Sequence, residues 1–435
     1  MNVDRDWHMY RMITLVRRFA GRHVRKCLLL IVRVRLFFVQ RRISSVKNSP
    51  LKVAFLVVFD SVFPFENVFR LMLKDVGFLP EIIVIPDISR GKDNQEMVMR
   101  NTYEQLARKY GGHVKLSAVD GRFVDISGAY DLYTTMNPYS DMTHIFYSIP
   151  YLAKKGCLVF ASRYFTDTGT VYSNTFNSLS SLAWLWRFYA EDHRDQVNII
   201  KAQPFLRRGG SVVAVGRPKM DSYKREEKKK SRKCIIIAPH HSIDSIGANK
   251  FSIGNFHRFA DFFLSLPQRY PNIDWVFRPH PLTLRSMVLS GRWKQKECDE
   301  YVEKMCAYSN VIYEAGGEYL KTFAESDGMI QDCSSFLPEY FYTGMPQCYL
   351  LKNKEAEDEQ FLQYGKQLLS YVYKAYSEDD ILSFINDVIL AGNDSGRENR
   401  LAFAETNLMY NYPHASEAIV EDLKIAVGRK PKPYS

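Results

Sequence analysis

At 435 residues, with 46% hydrophobic and 14% aromatic side chains, the chain is too long for one hydrophobic core and too apolar to stay disordered, so two folded domains are expected. Its formal charge of +11 lies largely in residues 1–50 and in Lys224–Lys233, and suits an anionic partner: nucleic acid, an anionic membrane or a phosphorylated substrate. The 7 cysteines, an odd number with no framework spacing and no CxxC, argue against a disulfide-built fold and for reduced thiols in a cytosolic setting.

The first segment, residues 1–48, mixes arginines with Leu, Ile, Val and Phe in "MYRMITLVRRFAGRHVRKCLLLIVRVRLFFVQRR". Its longest apolar run, Cys27–Val39, is broken by Arg33 and Arg35. That falls short of the roughly 20 residues a bilayer span needs. No small-residue cleavage site of a signal peptide follows. The composition predicts a basic amphipathic helix lying in an anionic membrane interface. The alternative is a basic helix packed on the protein itself.

From Leu51 the pattern alternates. "LKVAFLVVFD" and "PEIIVIPD" read as buried strands, with helices over Pro64–Val76 and "NQEMVMRNTYEQLARKYGG". "AYDLYTTMNPY", "THIFYSIPYLAKKG" and "CLVFASRYF" continue the alternation, and "SVVAVGRPKMD" closes a first unit over residues 49–220. Trp184 and Trp186 read as helix core rather than as a stacking platform. A charged joint, residues 221–233, precedes a second unit over 234–435 in which "CIIIAPHH", "DWVFRPHP", "NVIYE" and "GMIQD" are strands. Strands interleaved with helices predict an α/β fold: two Rossmann-like parallel-sheet domains facing a cleft.

Three strand ends of the second unit carry polar residues: His240 and His241 in "APHHSI", Arg278 and His280 in "FRPHP", and Ser334 and Ser335 in "QDCSSFLPEY". A parallel sheet sets such ends along one edge. Imidazole titrates near neutrality, so His280 or His240 suits proton exchange or a phosphate contact. Arg278 offers a permanent planar charge for phosphate oxygens. Pro279 and Pro281 restrain the backbone about His280; the plainer alternative is a rigid turn around a buried histidine. Pro338 lacks an N–H, which costs nothing if Ser335 caps the following helix, a cap worth about 1 kcal/mol. Ser334 is then left for a ligand, beside helix amides that favour an anion. Glu339 suits a ribose hydroxyl, or is simply a first-turn carboxylate. There is no Walker A sequence, no GxGxxG after the first strand and no metal-ligand spacing, so neither metal nor resident cofactor is expected.

Taken in order, "VVAVGRPKMD", "IIIAPHHSI", "WVFRPHP" and "SDGMIQDCSSFLPEYFYTGMPQCYLL" resemble the CDP-glycerol:poly(glycerophosphate) glycerophosphotransferase family, the teichoic-acid and capsule polymer enzymes. The likeness is good over 211–351, thinner over 51–210 and absent over 1–50. It implies a GT-B fold, a donor such as CDP-glycerol held mainly by the second domain, a lipid-linked or saccharide acceptor in the cleft, and an N-terminal helix on the cytoplasmic face of the membrane. It places His280 near the donor pyrophosphate, Ser334 and Ser335 on the donor phosphates, and Glu339 at the start of the next helix. His240 and His241 stand where well-known teichoic-acid members differ, which suggests a capsule-associated branch. The family's His-Gly pair, whose histidine is the presumed base, is replaced here by "FYSIPYLAKKG"; His144 lies upstream of Tyr147.

The expected activity is transfer of glycerol phosphate, or a related phospho-polyol, from a CDP-activated donor to a membrane-linked polymer. Two alternatives are a GT-B glycosyltransferase using a nucleotide sugar and a non-catalytic membrane scaffold. A nucleic-acid binder fits less well, because the basic residues are not interleaved with aromatics in any recognisable module.

Overall fold

The computed structural model describes residues 3–46, 49–89, 91–119, 121–224, 232–243 and 252–430, so most of the expected charged joint lies outside the described residues. The first domain is built on strands β1 (Leu51–Val57), β2 (Phe78–Val84), β3 (Val114–Leu116), β6 (Leu132–Thr135), β7 (Leu158–Ser162), β8 (Arg187–Ala190) and β9 (Val212–Ala214). They form a parallel 7-stranded sheet in the order β3-β2-β1-β6-β7-β8-β9, with a small antiparallel ribbon of β4 (Ala118–Val119) and β5 (Arg122–Phe123) beside it. The second domain carries β10 (Lys233–Ala238), β11 (Ile273–Phe277), β12 (Val311–Tyr313), β13 (Gly328–Gln331), β14 (Gln347–Leu350) and β15 (Tyr373–Ala375), a parallel 6-stranded sheet in the order β12-β11-β10-β13-β14-β15.

The β-branched runs become central strands because both faces are covered. In β10, Ile235 and Ile237 enter the core beneath the helix Phe256–Arg269, while Ile236 and Ala238 join Met329, Leu337 and Tyr349 on the opposite face. That two-residue alternation between two apolar cores is what a doubly covered parallel strand requires. Strand order reverses between β1 and β6 and between β10 and β13. Each reversal leaves a crevice at the carboxyl ends of the strands.

Both chain ends settle on the first domain. The helix Val3–Ser45 buries Leu29, Val32, Leu36 and Ile43 in the first core, one stripe of an α-helix. Arg35 donates to Lys154 O (2.6 Å) and Lys155 O (2.8 Å), the last carbonyls of the helix Ile149–Lys155, where a cation is favoured. The opposite side leaves Val24, Ile31, Val34 and Phe38 exposed. No described helix is long and apolar enough to cross a membrane. The final helix, Ala415–Ala426, inserts Ile419, Val420 and Leu423 into the first core rather than the second, so the expected boundary giving all of 234–435 to the second domain is corrected. Trp186 leads into β8 and Trp184 ends a 3-10 turn; both are buried core, as expected, though not on a regular helix.

The two domains also meet on the side of residues 166–170. Leu362 N donates to Thr168 O (2.9 Å), Gly169 bridges Phe361, and Thr170 Oγ1 donates to Glu359 O and Gln360 O (both 3.2 Å).

Candidate active site

The carboxyl ends of β10, β11 and β13 meet, and Asp332 ties that of β13 to that of β10. Its side chain accepts from His240 N (2.6 Å), Asn255 N (2.5 Å) and Asn255 Nδ2 (3.3 Å), and is fully buried. Burial pushes its carboxyl up to about 7 while those donors pull the other way. Gly254 is required here, because a Cβ would lie 2.6 Å from His240 O. The β11 end is fixed to β10 by His280 N to Pro239 O (3.0 Å) and Thr283 Oγ1 to Pro239 O (3.2 Å).

This brings three imidazoles together. Ring centroids are 4.2 Å apart for His240 and His241, 4.1 Å for His241 and His280, and 5.5 Å for His240 and His280. His240 is buried and its pKa is held well below the ordinary value, by burial first and then by the two neighbouring rings. Its Nδ1 accepts Ser242 N (3.2 Å), and Nδ1 of His280 accepts Leu282 N (3.1 Å). An N–H pointing at Nδ1 uses that nitrogen as an acceptor and leaves Nε2 as each ring's other polar atom.

Ser334 is half-buried, lines the same cleft and makes no hydrogen bond to described protein groups. Ser335 stands at the N-cap position of the helix Phe336–Tyr340, yet its side chain makes no capping bond; its Oγ lies 3.1 Å from Cys333 Sγ. The expected side-chain cap is thus absent. Its backbone is already helical there, with Leu337 N bonded to Cys333 O (3.1 Å), so the first turn starts before Ser335.

Arg278 reaches the cleft, but its guanidinium is not a loose charge. It pairs with Glu314 and donates to Gly317 O (2.5 Å), which pins the loop 314–319 and sets the Tyr319 ring 5.3 Å away. Glu339 is buried and accepts the Tyr319 hydroxyl, so one of its oxygens is already committed. Neither partner was named from the sequence, because neither Glu314 nor Tyr319 lies in the recognised motifs.

These residues form one wall of a cleft of about 580 Å³. The facing wall belongs to the first domain and is mostly apolar: Leu56, Val58, Phe59, Met136, Met142 and Phe165. Ser61, Asn137, Tyr139 and Tyr164 supply its polar groups, and none of its described lining residues is a carboxylate or imidazole. His144 lies elsewhere, its ring 4.6 Å from both Phe123 and Phe146, and does not line the cleft. Lys219 also lines the cleft and was missed; only its place in "GRPKMD", one of the recognised stretches, hinted at it. Among the described residues, no group of His, Cys, Asp and Glu is arranged to hold a metal ion.

No family model matches the chain, and no curated protein matches its sequence. Solved structures do match in fold. A UDP-N-acetylglucosamine 2-epimerase aligns with TM-score 0.57 at 11% identity, over 89% of this chain and 99% of that one. The UDP-GlcNAc 2-epimerase from Neisseria meningitidis, bound to UDP-GlcNAc, aligns with TM-score 0.53 at 12% identity, over 86% and 99%. A variant of the wall teichoic acid polymerase TagF soaked with CDPG aligns with TM-score 0.55 at 12% identity, over 94% and 97%. At these identities the likeness shows the fold: two parallel-sheet domains of the GT-B kind. The family resemblance itself rests on the motifs.

Proposed function

We propose that this protein transfers glycerol phosphate, or a related phospho-polyol, from a CDP-activated donor to a membrane-linked cell-surface polymer. The observation that carries the reading is the meeting of His240, His241, His280, Arg278, Ser334 and Glu339 in one interdomain cleft. The acceptor hydroxyl oxygen attacks the phosphorus bearing glycerol, the new P–O bond forms as the P–O bond to CMP breaks, and CMP leaves with the electron pair. The ring of His280 and the hydroxyl of Ser334 stabilise the leaving phosphate, and Arg278 holds the loop 314–319 beside the site. Phosphoryl transfer relies on positioning and charge stabilisation more than on a base, so a first-domain wall without imidazole or carboxylate suits it. The hydroxyl proton leaves to solvent or to the transferred phosphate.

The polymer acceptor fits a place at the membrane surface. The N-terminal helix presents Val24, Ile31, Val34 and Phe38 outward, on a segment rich in arginine. Packing on the protein and lying on a membrane are compatible, because they use opposite faces.

A second reading is favoured by the epimerase-like structures: the same cleft taking a nucleotide sugar for transfer. Purified protein incubated with CDP-glycerol and with a panel of nucleotide sugars, plus a lipid-linked acceptor, separates the two. Release of CMP with a product heavier by one glycerol phosphate supports the first. Turnover of sugars alone overturns it, and a non-catalytic scaffold would show no turnover of any donor, with its function intact in His280→Ala and Ser334→Ala but lost on deletion of residues 1–45.

A further inference from the structure

Among the described residues, two cationic side chains line the cleft, Arg278 and Lys219. Arg278 is paired with Glu314. Lys219 makes no ion pair among the described residues, and its ammonium sits 4.1 Å above the Tyr319 ring. The lysine is half-buried; burial lowers its pKa, while the carboxylates of Glu339, Glu318 and Glu66 at longer range raise it and Arg278 lowers it further. An ammonium held between two domains with carboxylates near but none in direct contact has room for an anion to complete the site.

Its backbone belongs to the first domain. Asn67 Nδ2 donates to Pro218 O (2.8 Å), Arg217 Nε pairs with Glu191 (2.8 Å), and Asp221 accepts Ala415 N (3.2 Å) and Ser416 N (2.6 Å) from the final helix. The ring beneath it belongs to the second domain, where Tyr319 donates to Glu339 and packs on Phe336 at 4.8 Å, next to the serine pair. Lys219 also borders a smaller recess with Asp60, Glu66 and Glu318, so it stands at the mouth joining the two hollows.

We propose that Lys219 is the first domain's ligand for the donor's diphosphate, so that a phosphate bound by the second domain's strand ends is gripped from both domains at once. This rests on the transferase reading above and adds a residue to its anion site. Among the described residues, no other charged side chain of the first domain lines the larger cleft.

The test is calorimetric titration of the full chain with inorganic pyrophosphate and with CDP, for wild type, Lys219→Met, Lys219→Arg and Ser334→Ala. A charge-assisted contact predicts about 10- to 100-fold weaker binding for Lys219→Met, with Lys219→Arg retaining most of the affinity. Lys219→Met should melt no lower than wild type, because it removes a half-buried charge that has no direct ion pair. If wild type binds neither probe, the anion site itself is refuted. If wild type binds and Lys219→Met binds equally well while Ser334→Ala does not, the site stands and the role of Lys219 falls. If Lys219→Met loses binding only because it melts well below wild type, the lysine is structural and the proposal also falls.

Discussion

Replacing Gly365 by alanine isolates the contact that sets the spacing of the two domains. Gly365 lies in the helix Gln363–Leu369, with no left-handed backbone to forbid a side chain. Helix propensity therefore favours alanine by about 1 kcal/mol. Space opposes it: a Cβ there would meet Thr168 O at 2.3 Å and Phe361 Cδ1 at 2.8 Å. The carbonyl is backbone and cannot rotate away, so the two segments must separate by roughly 1 Å to reach an ordinary contact, an overpacking cost of about 1–3 kcal/mol. The bond from Leu362 N to Thr168 O (2.9 Å) goes with it, about 1 kcal/mol more. The clash wins, with a net loss of about 1–3 kcal/mol and a melting point lower by roughly 3–10 °C. Tyr164 and Phe165, which line the cleft, lie just before this loop, and a displacement near 1 Å at reacting groups lowers turnover by about 100-fold. Scanning calorimetry and the rate of transfer from the donor measure both. A Gly365→Ala protein that melts at or above wild type with unchanged turnover refutes the reasoning.

Ser334→Ala should weaken pyrophosphate binding about tenfold while leaving the melting point within 2 °C or so, since its hydroxyl serves no described protein group; titration and calorimetry check the two together. His240 resists protonation in the fold, so below about pH 6.5 the unfolded chain binds more protons than the native one and stability falls as pH falls. Denaturant unfolding between about pH 5 and pH 7 should show that slope, and His240→Gln should flatten it. Glu191→Gln leaves the nearly buried guanidinium of Arg217 facing a neutral amide and should cost about 3 kcal/mol in urea unfolding, with no gain in turnover.

How much of this could be read from the sequence follows from how local each feature is. The strands were legible because runs such as "IIIA" and "VAFLV" announce burial without reference to anything distant, and turn residues bound them. The meeting of His240, His280 and Ser334 was legible because a parallel sheet places the ends of adjacent strands along one edge, and β11, β10 and β13 are adjacent. What each side chain does once there was not legible. Arg278 spends its charge on Glu314, Glu339 accepts from Tyr319, and Ser335 turns toward Cys333, contacts set by loop paths rather than by any periodicity. Asp332 was quoted within "QDCSS" and passed over. Its role is to accept backbone N–H groups from His240 and from Asn255, far off in sequence, and no local pattern signals that.

The final helix shows the same limit and explains why Lys219 sits where it does. Its amphipathic pattern predicts a buried stripe but not which core will receive it; the stripe goes home to the first domain, so the chain crosses between domains twice. The two crossings run side by side: a Cβ at Gly216 would lie 2.4 Å from Tyr410 O, Asn411 Nδ2 donates to Val215 O (3.1 Å), and Tyr412 Oη donates to Tyr223 O (2.6 Å). A glycine with φ of 102° is what lets them approach so closely. Lys219 is carried on the first crossing, held by Asp221's bonds to the helix that ends the second. A side chain on that joint takes its position from both domains, so an anion that binds it together with the second domain's strand ends reads out their spacing directly. The joint and the Gly365 contact are then two independent settings of one distance, and a change at either should be felt in donor affinity before it is felt in stability.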